Sequence, residues 1–317
     1  MPRREGERNM RATYDPGYWS NWSAHIQADA DNAGLGLGPD KGHTLAELFA
    51  KYHDTLWEAG LHKYCLTGFI RELDRLLGPE PFSDFPQERL DHLAGVLRQR
   101  GNSNATINRK FSALGKLLKK ARAMGDIRSV PEIERLKERA GRIRFLDPDE
   151  ERRLFAAIKT RSEIYYHLSV FLVDSGARLG EAIGLRWNDV EKGRATFWIT
   201  KSGRSRTVPL TARVQDSLIS CGDMAVGPFC AVKQYQYRMV WHEAKRDVGL
   251  RHDRDVVPHV LRHTCASRLV RGGVDIRRVQ TWLGHQSLQM TMRYAHLATH
   301  DLDACLSVLE AAPDASS

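Results

Sequence analysis

The amino-acid sequence predicts a mostly α-helical protein with a small antiparallel β-sheet, arranged as two domains. Its 317 residues are enough to bury two separate hydrophobic cores. Apolar residues recur at helical spacing along most of the chain, which indicates amphipathic helices. One stretch, 195–210, instead places β-branched residues on both sides of a Ser-Gly step, which indicates a β-hairpin.

Changes in composition and periodicity divide the chain into five segments. The N-terminal residues are rich in Gly, Asp and Asn, and the helical pattern begins only near Thr44. The predicted segments are an extension over 1–40 that is flexible or partly ordered by its aromatic residues, a helical domain over 41–125, a basic linker with some helix over 126–144, a second domain over 145–311 and a tail over 312–317.

Four helices are predicted in the first domain, and each has a recognisable start or end. Thr44 and Glu47 have the spacing of a capping box, which opens the first helix. The second helix stops at Gly78-Pro79, the third runs from about Pro86 to Arg100, and Ser103 opens the fourth. The apolar stripes of these helices can form one core.

Positive charge is concentrated in one part of the chain. Residues 98–144 carry 14 Lys and Arg against 4 Asp and Glu, a net of +10, whereas the whole chain carries +9. The remainder therefore sums to about −1, and so local an excess is typical of proteins that bind a phosphate backbone. A solvated, salt-bridged surface is the alternative. The cations predicted to face DNA from the fourth helix are Arg109, Lys110, Lys116, Lys119 and Lys120.

The second domain is predicted to begin at Asp147, the N-cap of a helix with Pro148 at its first position. Two helices precede the β-hairpin, whose strands are 195–200 and 206–210, and helical periodicity then continues to about Leu309. No run approaches the roughly 18 apolar residues that span a membrane, and no apolar signal segment follows the start. Five scattered cysteines without a C-x-x-C pair favour reduced thiols, so a cytoplasmic protein is expected.

Two motifs in the second domain carry isolated cations. Arg178 opens a helix after Gly176 and lies on the same side as Glu181, so a guanidinium joins the free N–H groups of a helix start. A surface ion pair is the alternative for this motif alone. Lys201 stands on the predicted hairpin turn, where it could reach into a groove or be solvated like most lysines.

A third motif places His259, Arg262 and His263 on one face of a predicted helix. Two histidines four residues apart could suggest zinc, but the glutamate of H-E-x-x-H is missing and no third ligand follows at a suitable spacing. The face therefore fits a polyanionic group held without metal.

The fourth motif lies near the C-terminus. Gly284 is predicted to end one helix, His285 follows it, and Ser287 can open the next helix. Tyr294 is predicted to lie two turns into that helix. Alone, this tyrosine would be a packing residue.

These four motifs in this order resemble the tyrosine recombinases, the phage integrase family. The stretches NATINRKFSALGKLLKKA and FLDPDE are also similar to the family, and the resemblance covers about residues 44 to 310. It implies an N-terminal four-helix DNA-clamping domain followed by the tyrosine-recombinase catalytic domain.

The resemblance also implies which residues bind the scissile phosphate. Arg178 and Arg262 would contact its non-bridging oxygens, and His259 and His285 would add hydrogen bonds. Glu181 would orient the arginine and histidine groups from behind.

The remaining implied roles concern proton and phosphoryl transfer. Tyr294 would attack phosphorus to form a 3′-phosphotyrosyl bond, Lys201 would protonate the leaving 5′-oxygen, and His263 would give structural support. Tyrosine has a pKa of about 10, so the cationic site must stabilise its phenolate. Because that site supplies the charge and the covalent bond conserves the phosphodiester's energy, neither metal nor ATP is expected.

The function implied is that of a site-specific recombinase that integrates or excises a phage or mobile element. Its partners would be double-stranded DNA and three further copies of the chain, which form a tetramer on DNA and associate only weakly without it. Accessory DNA-bending or directionality factors would be a further class of partner. A chromosome-dimer-resolving recombinase and a type IB topoisomerase are alternatives with the same chemistry, and a non-catalytic DNA-binding regulator is an alternative of another class. Docking of a terminal helix through Leu302, Cys305, Leu306 and Leu309, in cis or on a neighbouring copy, stays open.

Overall fold

The chain divides into two compact units, Met1–Ala140 and Gly141–Ser317. The predicted extension, the hairpin turn with Lys201 and the predicted terminal helix fall outside the described residues. The computed structural model describes residues 42–138, 143–198, 205–222, 224–298 and 310.

The described part of the first unit, residues 42–138, contains four helices, and local sequence signals account for where they begin. The side chain of Thr44 accepts a hydrogen bond from the Glu47 N–H, and Glu47 returns one to Thr44, so the predicted capping box is present. Ser103 caps the fourth helix through the Thr106 N–H. The helices are α1 (Leu45–Leu56), α2 (Leu61–Leu77), α3 (Gln87–Gln99) and α4 (Asn104–Ala123).

The segment after α4 packs onto the first unit without forming a helix over residues 126–138. Ile127 is buried, and Ile133 and Leu136 pack against the core of the four helices. Asp126 is also buried and accepts hydrogen bonds from Lys51 and Tyr52. The helix expected in part of the linker is therefore absent from this stretch, because its apolar residues contact the core in an extended chain.

The second unit begins at Leu146 and Asp147, with Asp147 and Glu150 forming a capping box at a helix that has Pro148 first. Short 3₁₀ turns lie at Trp187–Asp189 and Ala295–Leu297. The helices are α5 (Pro148–Lys159), α6 (Glu163–Ser175), α7 (Leu179–Ile183), α8 (Ala212–Ile219), α9 (Gln234–Asp247), α10 (Val260–Arg271), α11 (Ile276–Leu283) and α12 (Leu288–Met292).

Among the described residues of this unit, three short antiparallel strands form a sheet in the order β1 (Val190–Glu191), β2 (Arg194–Phe197) and β3 (Arg206–Pro209). In β2 and β3, Ala195 lies opposite Val208, and both are buried. The fold prediction of a mostly α protein with a small antiparallel sheet is confirmed. The sequence did not predict β1, and β2 ends earlier than expected.

The centre of the second unit is α6, which packs against α5, α8 and α10. Leu168, Phe171 and Leu172 on this helix are buried in the largest apolar cluster. In the described part of the chain, no helix has the length and apolarity that would let it cross a membrane. The cysteines that the structure describes, Cys65, Cys221, Cys230 and Cys265, are free thiols.

Candidate active site

A left-handed glycine brings Arg178 to the start of α7. Gly176 ends α6 with a φ of 64°, and a Cβ there would lie 2.9 Å from Cδ2 of Leu283 and 3.0 Å from Sγ of Cys265. Only glycine adopts this conformation readily and fits this space. The chain therefore turns sharply, and Arg178 follows two residues later with its backbone at the helix N-terminus.

Glu181 holds Arg178 in place from within α7. Its carboxylate accepts the Arg178 backbone N–H at 2.9 Å and the Arg178 Nη1 at 2.7 Å. It also accepts Nη2 of Arg206 at 2.7 Å and Nη1 at 3.2 Å. Burial opposes ionisation of the carboxyl, but the hydrogen bonds from Arg206 and Arg178 outweigh it and lower the pKa of Glu181 to about 2. Among the described residues, Glu181 orients two arginines and no histidine, so only the arginine part of its expected contacts is observed.

Arg206 is a residue of this site that the sequence did not reveal. It is 8% exposed, and its Nε donates to the carbonyl of Trp282 at 3.1 Å. A Cβ on Gly284 would lie 2.8 Å from Cδ of Arg206, so the glycine leaves room for this side chain. Arg206 thus joins the Glu181 carboxylate to the end of α11. It lies in the run RSRT, where nothing in the spacing distinguishes it from its neighbours.

Arg262 lies at the ends of two helices. It is 3% exposed, and it donates from Nη1 to the carbonyl of Gly176 at 2.5 Å and from Nη2 to that of Leu283 at 2.6 Å. Burial, together with the charges of Arg178 and Arg206, lowers the pKa of Arg262 to about 10, so it stays protonated at neutral pH. Each terminal nitrogen has a second hydrogen, which leaves donors for an anion.

Three histidines share the field of these arginines. His259 immediately precedes α10 and is exposed, and its ring lies edge-on to His263 with centroids 4.7 Å apart. His285 follows Gly284, and its Nδ1 lies 2.9 Å from Oγ1 of Thr291. Burial, and after it the nearby positive groups, lowers the pKa of each of these histidines below its ordinary value. The pKa of His263 falls to about 3, and that of His285 falls to about 4. All three rings are therefore neutral at neutral pH.

Tyr294 lies beyond the end of α12, and the prediction that it sits two turns into a helix was wrong. The helix has five residues and ends at Met292, because the chain tightens into the 3₁₀ turn Ala295–Leu297. The tyrosine is 1% exposed, and its hydroxyl lies 2.6 Å from Nδ1 of His263. Burial raises its pKa, although the charges of Arg293 and Arg262 oppose the rise.

These residues form one cationic cluster. The charges of Arg178 and Arg262 act on both His259 and His285, which places the four groups within electrostatic range of one another. A cleft of about 320 Å³ lies beside His259 and Arg262. Lys201 lies outside the described residues. Within those residues, no three His, Cys, Asp or Glu side chains are grouped as a metal site.

The fourth helix of the first unit carries the other predicted contacts. Arg109, Lys116 and Lys119 are exposed, and Lys120 is half-buried. Lys110 is 3% exposed and its Nζ is 2.8 Å from both Glu72 Oε2 and Asn102 Oδ1. The expectation that Lys110 faces outward was therefore wrong. Its position three residues after Ile107 and four before Leu114 already places it on the apolar stripe.

Comparison with known proteins gives matches over both units. The sequence profile described as the Phage integrase family matches residues 144–300. The integrase of Haemophilus phage HP1 is 29% identical over 71% of this chain and 66% of its own length. The tyrosine recombinase XerC of Alcanivorax borkumensis is 28% identical over 76% of this chain and 85% of its own length. The aligned part spans about half, 52%, of a further relative from Pseudomonas phage Pf1.

Solved structures show the same fold. A lambda integrase dimer bound to a COC' core site superposes with a TM-score of 0.70 at 19% identity, covering 90% of this chain and 82% of that one. A lambda integrase tetramer bound to a Holliday junction gives a TM-score of 0.70 at 20% identity, covering 80% and 78%.

Proposed function

The chain belongs to the phage integrase family of tyrosine recombinases, and from that membership we propose that it cuts and rejoins DNA strands at a specific site through a 3′-phosphotyrosyl bond. The single observation that carries the proposal is that the Tyr294 hydroxyl contacts the neutral His263 and lies within electrostatic range of the buried Arg262. Among the biological roles, integration or excision of a phage or mobile element fits the HP1 relative.

The phosphate-binding step uses the two arginines. Arg178 is fixed by Glu181, and Arg262 is fixed by two carbonyls, so both guanidinium groups are preorganised before DNA binds. Such fixed donors stabilise the extra negative charge of the pentacoordinate transition state, and losing one typically costs about 3–4 kcal/mol of barrier. His259 and His285 add hydrogen bonds to the same oxygens.

The chemical step transfers the 3′-phosphoryl group to tyrosine. The Tyr294 Oη attacks phosphorus, the bond from phosphorus to the 5′-oxygen breaks, and Lys201 gives that oxygen a proton. Because the covalent intermediate retains a phosphodiester, rejoining needs no ATP. The cations do the electrostatic work that a metal would otherwise do, so activity is expected to persist in a chelator.

The partners proposed are duplex DNA and other copies of the chain. We propose that Arg109, Lys116, Lys119 and Lys120 on α4 contact phosphates of the DNA site, which their exposed or half-buried positions support. The lambda integrase tetramer on a Holliday junction supports a tetramer on DNA by analogy of fold. A protein that acts on bacterial or phage DNA would work at the nucleoid, in the cytoplasm. Directionality factors could bind the same DNA there.

Resolution of chromosome dimers is the second candidate role. It is favoured by one observation: the alignment covers 85% of the XerC relative but 66% of the HP1 integrase. Sequencing the DNA that flanks the gene separates the roles, because an integrated element is bounded by direct repeats and a chromosomal recombinase gene is not.

A nicked suicide substrate made from those flanking repeats tests the activity. We expect a covalent protein–DNA adduct that survives denaturant, is absent in Tyr294→Phe and persists in chelator. Tyr237→Phe is the matched control, since Tyr237 is another buried tyrosine of the second unit and is bonded to Ser169. If Tyr294→Phe still formed the adduct, Tyr294 would not be the nucleophile. DNA binding by the native protein without any adduct would favour the non-catalytic regulator.

A further inference from the structure

The hydroxyl of the proposed nucleophile contacts a histidine of the second unit. Nδ1 of His263, on α10, lies 2.6 Å from Oη of Tyr294, although the two residues are 31 positions apart. The rings are 5.9 Å apart between centroids and inclined by 47°. In the described part of the chain, His263 is the hydrogen-bonding partner of this hydroxyl, and at 1% exposure the tyrosine has little contact with solvent.

We propose that His263 is the proton acceptor for Tyr294, so that its Nδ1 takes the hydroxyl hydrogen while Oη bonds to phosphorus. The proposal rests on the recombinase function above and assigns a catalytic role to a residue that the sequence suggested only as support. It concerns the nucleophile's side of the reaction, whereas Lys201 serves the leaving group.

The direction of this hydrogen bond follows from the chemistry of the two groups. Burial and the neighbouring cations keep His263 neutral, and burial keeps the phenol protonated. A neutral imidazole has one nitrogen that donates and one that accepts. If Nδ1 donated, the phenolic hydrogen would need another acceptor, and the described residues offer none at this position. The hydroxyl therefore donates to Nδ1, and the imidazole hydrogen is on Nε2.

Substrate binding would make His263 a stronger base. Its pKa is lowered by burial first, and then by His259, Arg293 and Arg262. A phosphodiester bound to the arginines brings a negative charge that offsets the charges of Arg293 and Arg262, which raises the affinity of Nδ1 for a proton. Without DNA, the weak base leaves the tyrosine protonated and unreactive.

The transfer balances in both directions. In cleavage, the hydroxyl proton moves to Nδ1 as the bond from Oη to phosphorus forms and the bond to the 5′-oxygen breaks, and the 5′-oxygen takes its proton from Lys201. In rejoining, the 5′-hydroxyl returns its proton to the lysine, and His263 returns its own to the phenolate as the bond from Oη to phosphorus breaks.

His263→Asn separates proton transfer from simple orientation. The asparagine oxygen stands near the place of Nδ1, so it can accept a hydrogen bond from Tyr294 but cannot take its proton. General base catalysis typically contributes about 10²–10⁴-fold, and we expect the rate of adduct formation to fall within that range. His167→Asn is the matched control, because His167 is another neutral, partly buried histidine of the second unit with its pKa lowered by burial.

A substrate with sulfur in place of the bridging 5′-oxygen shows which side of the reaction is affected. A thiolate leaves without a proton, so this substrate should restore Lys201→Ala while His263→Asn keeps its deficit. Replacing Tyr294 by 3,5-difluorotyrosine, whose hydroxyl is more acidic, should in contrast reduce the deficit of His263→Asn. DNA affinity and the thermal midpoint are measured on every variant, and His263→Gln replaces His263→Asn if the latter does not fold.

Each result decides the assignment. A rate within about threefold of native for His263→Asn on the oxygen substrate would overturn proton transfer, since an acceptor alone would then suffice. Restoration of His263→Asn by the sulfur substrate would also overturn it, because the histidine would then act on the leaving group. If the native protein forms no adduct on either substrate, the proposed function fails instead.

Discussion

Arg206 illustrates how a single side chain can connect separate parts of the site. It bonds both oxygens of Glu181 and the carbonyl of Trp282, and it lies over the ring of Phe197 with 4.5 Å from Cζ to the centroid. Its loss would leave Arg178 as the remaining cation on the Glu181 carboxylate among the described residues. The position of Arg178 would then be less well defined.

We expect Arg206→Met to slow adduct formation by about 10²-fold while DNA affinity changes little, because small displacements of positioning groups have effects of that size. Arg213→Met is the matched control, since Arg213 also bonds two carboxylates of the second unit, at 2.6 Å to Asp174 Oδ2 and 3.0 Å to Glu151 Oε1. Suicide-substrate kinetics and thermal melts check this. Equal losses of rate in both variants would mean that Arg206 has only a general structural role.

Gly284 makes a second residue-scale prediction. Its φ is 65° and a Cβ would lie 2.8 Å from Cδ of Arg206, so Gly284→Ala should displace that arginine as well as strain the backbone. Gly273→Ala provides the control, because Gly273 has a φ of 78° but no described residue has an atom within 4 Å of its Cβ position. The control should lose only the backbone cost of about 1–2 kcal/mol. Chemical denaturation should show a larger loss for Gly284→Ala, with slower cleavage, and identical losses would contradict the contact.

At the scale of elements, the sequence predicted where helices begin better than it predicted the contacts that helices make with distant parts of the chain. Thr44, Ser103 and Asp147 cap helices as predicted, because capping is a local interaction between residues two or three apart. The short α12 and the position of Tyr294 after its end were not foreseen. Tyr294 contacts His263, which lies 31 residues away in the sequence, and such a long-range contact has no local signal.

Helix α4 tests which lysines contact DNA. Lys119→Gln should weaken binding and reduce the slope of log affinity against log salt by about 1, since one phosphate contact is lost. Lys110→Gln, on the same helix, should leave that slope unchanged and lower the free energy of unfolding by about 2 kcal/mol, because it breaks a buried pair with Glu72. Fluorescence anisotropy at several salt concentrations and urea unfolding measure the two effects. The reverse pattern would contradict the assignment of faces.

For the whole molecule, the neutral histidines predict loss of stability in mild acid. The folded pKa values of His263 and His285, about 3 and about 4, lie below the ordinary 6.5, so the unfolded chain binds more protons below pH 6.5. Their contribution is complete above pH 6.5 and falls by about 1.4 kcal/mol per pH unit for each histidine as the pH drops towards the folded values. Glu181 adds a loss between its ordinary 4.5 and about 2, as its carboxylate is protonated.

Urea unfolding at pH 7 and pH 5 measures this dependence. His263 and His285 together should contribute about 4 kcal/mol to the loss between the two, and His285→Gln, which removes one titrating group, should reduce the loss by about half of that. A free energy of unfolding that is the same at both values would show that these histidines are not held neutral.

Arg262 links the chemistry of the protein to its tolerance of mutation. The same guanidinium that is proposed to bind the phosphate also holds the final carbonyl of α11 and the carbonyl that follows α6. A substitution of Arg262 would therefore lower both the stability of the folded protein and its activity. A variant that is stable but inactive could not easily arise by substitution at this position. Loss of Tyr294 has no such penalty beyond its own packing. Homologues that bind DNA but have lost cleavage are thus expected to have replaced the residue at the position of Tyr294 and to have retained the arginine at the position of Arg262.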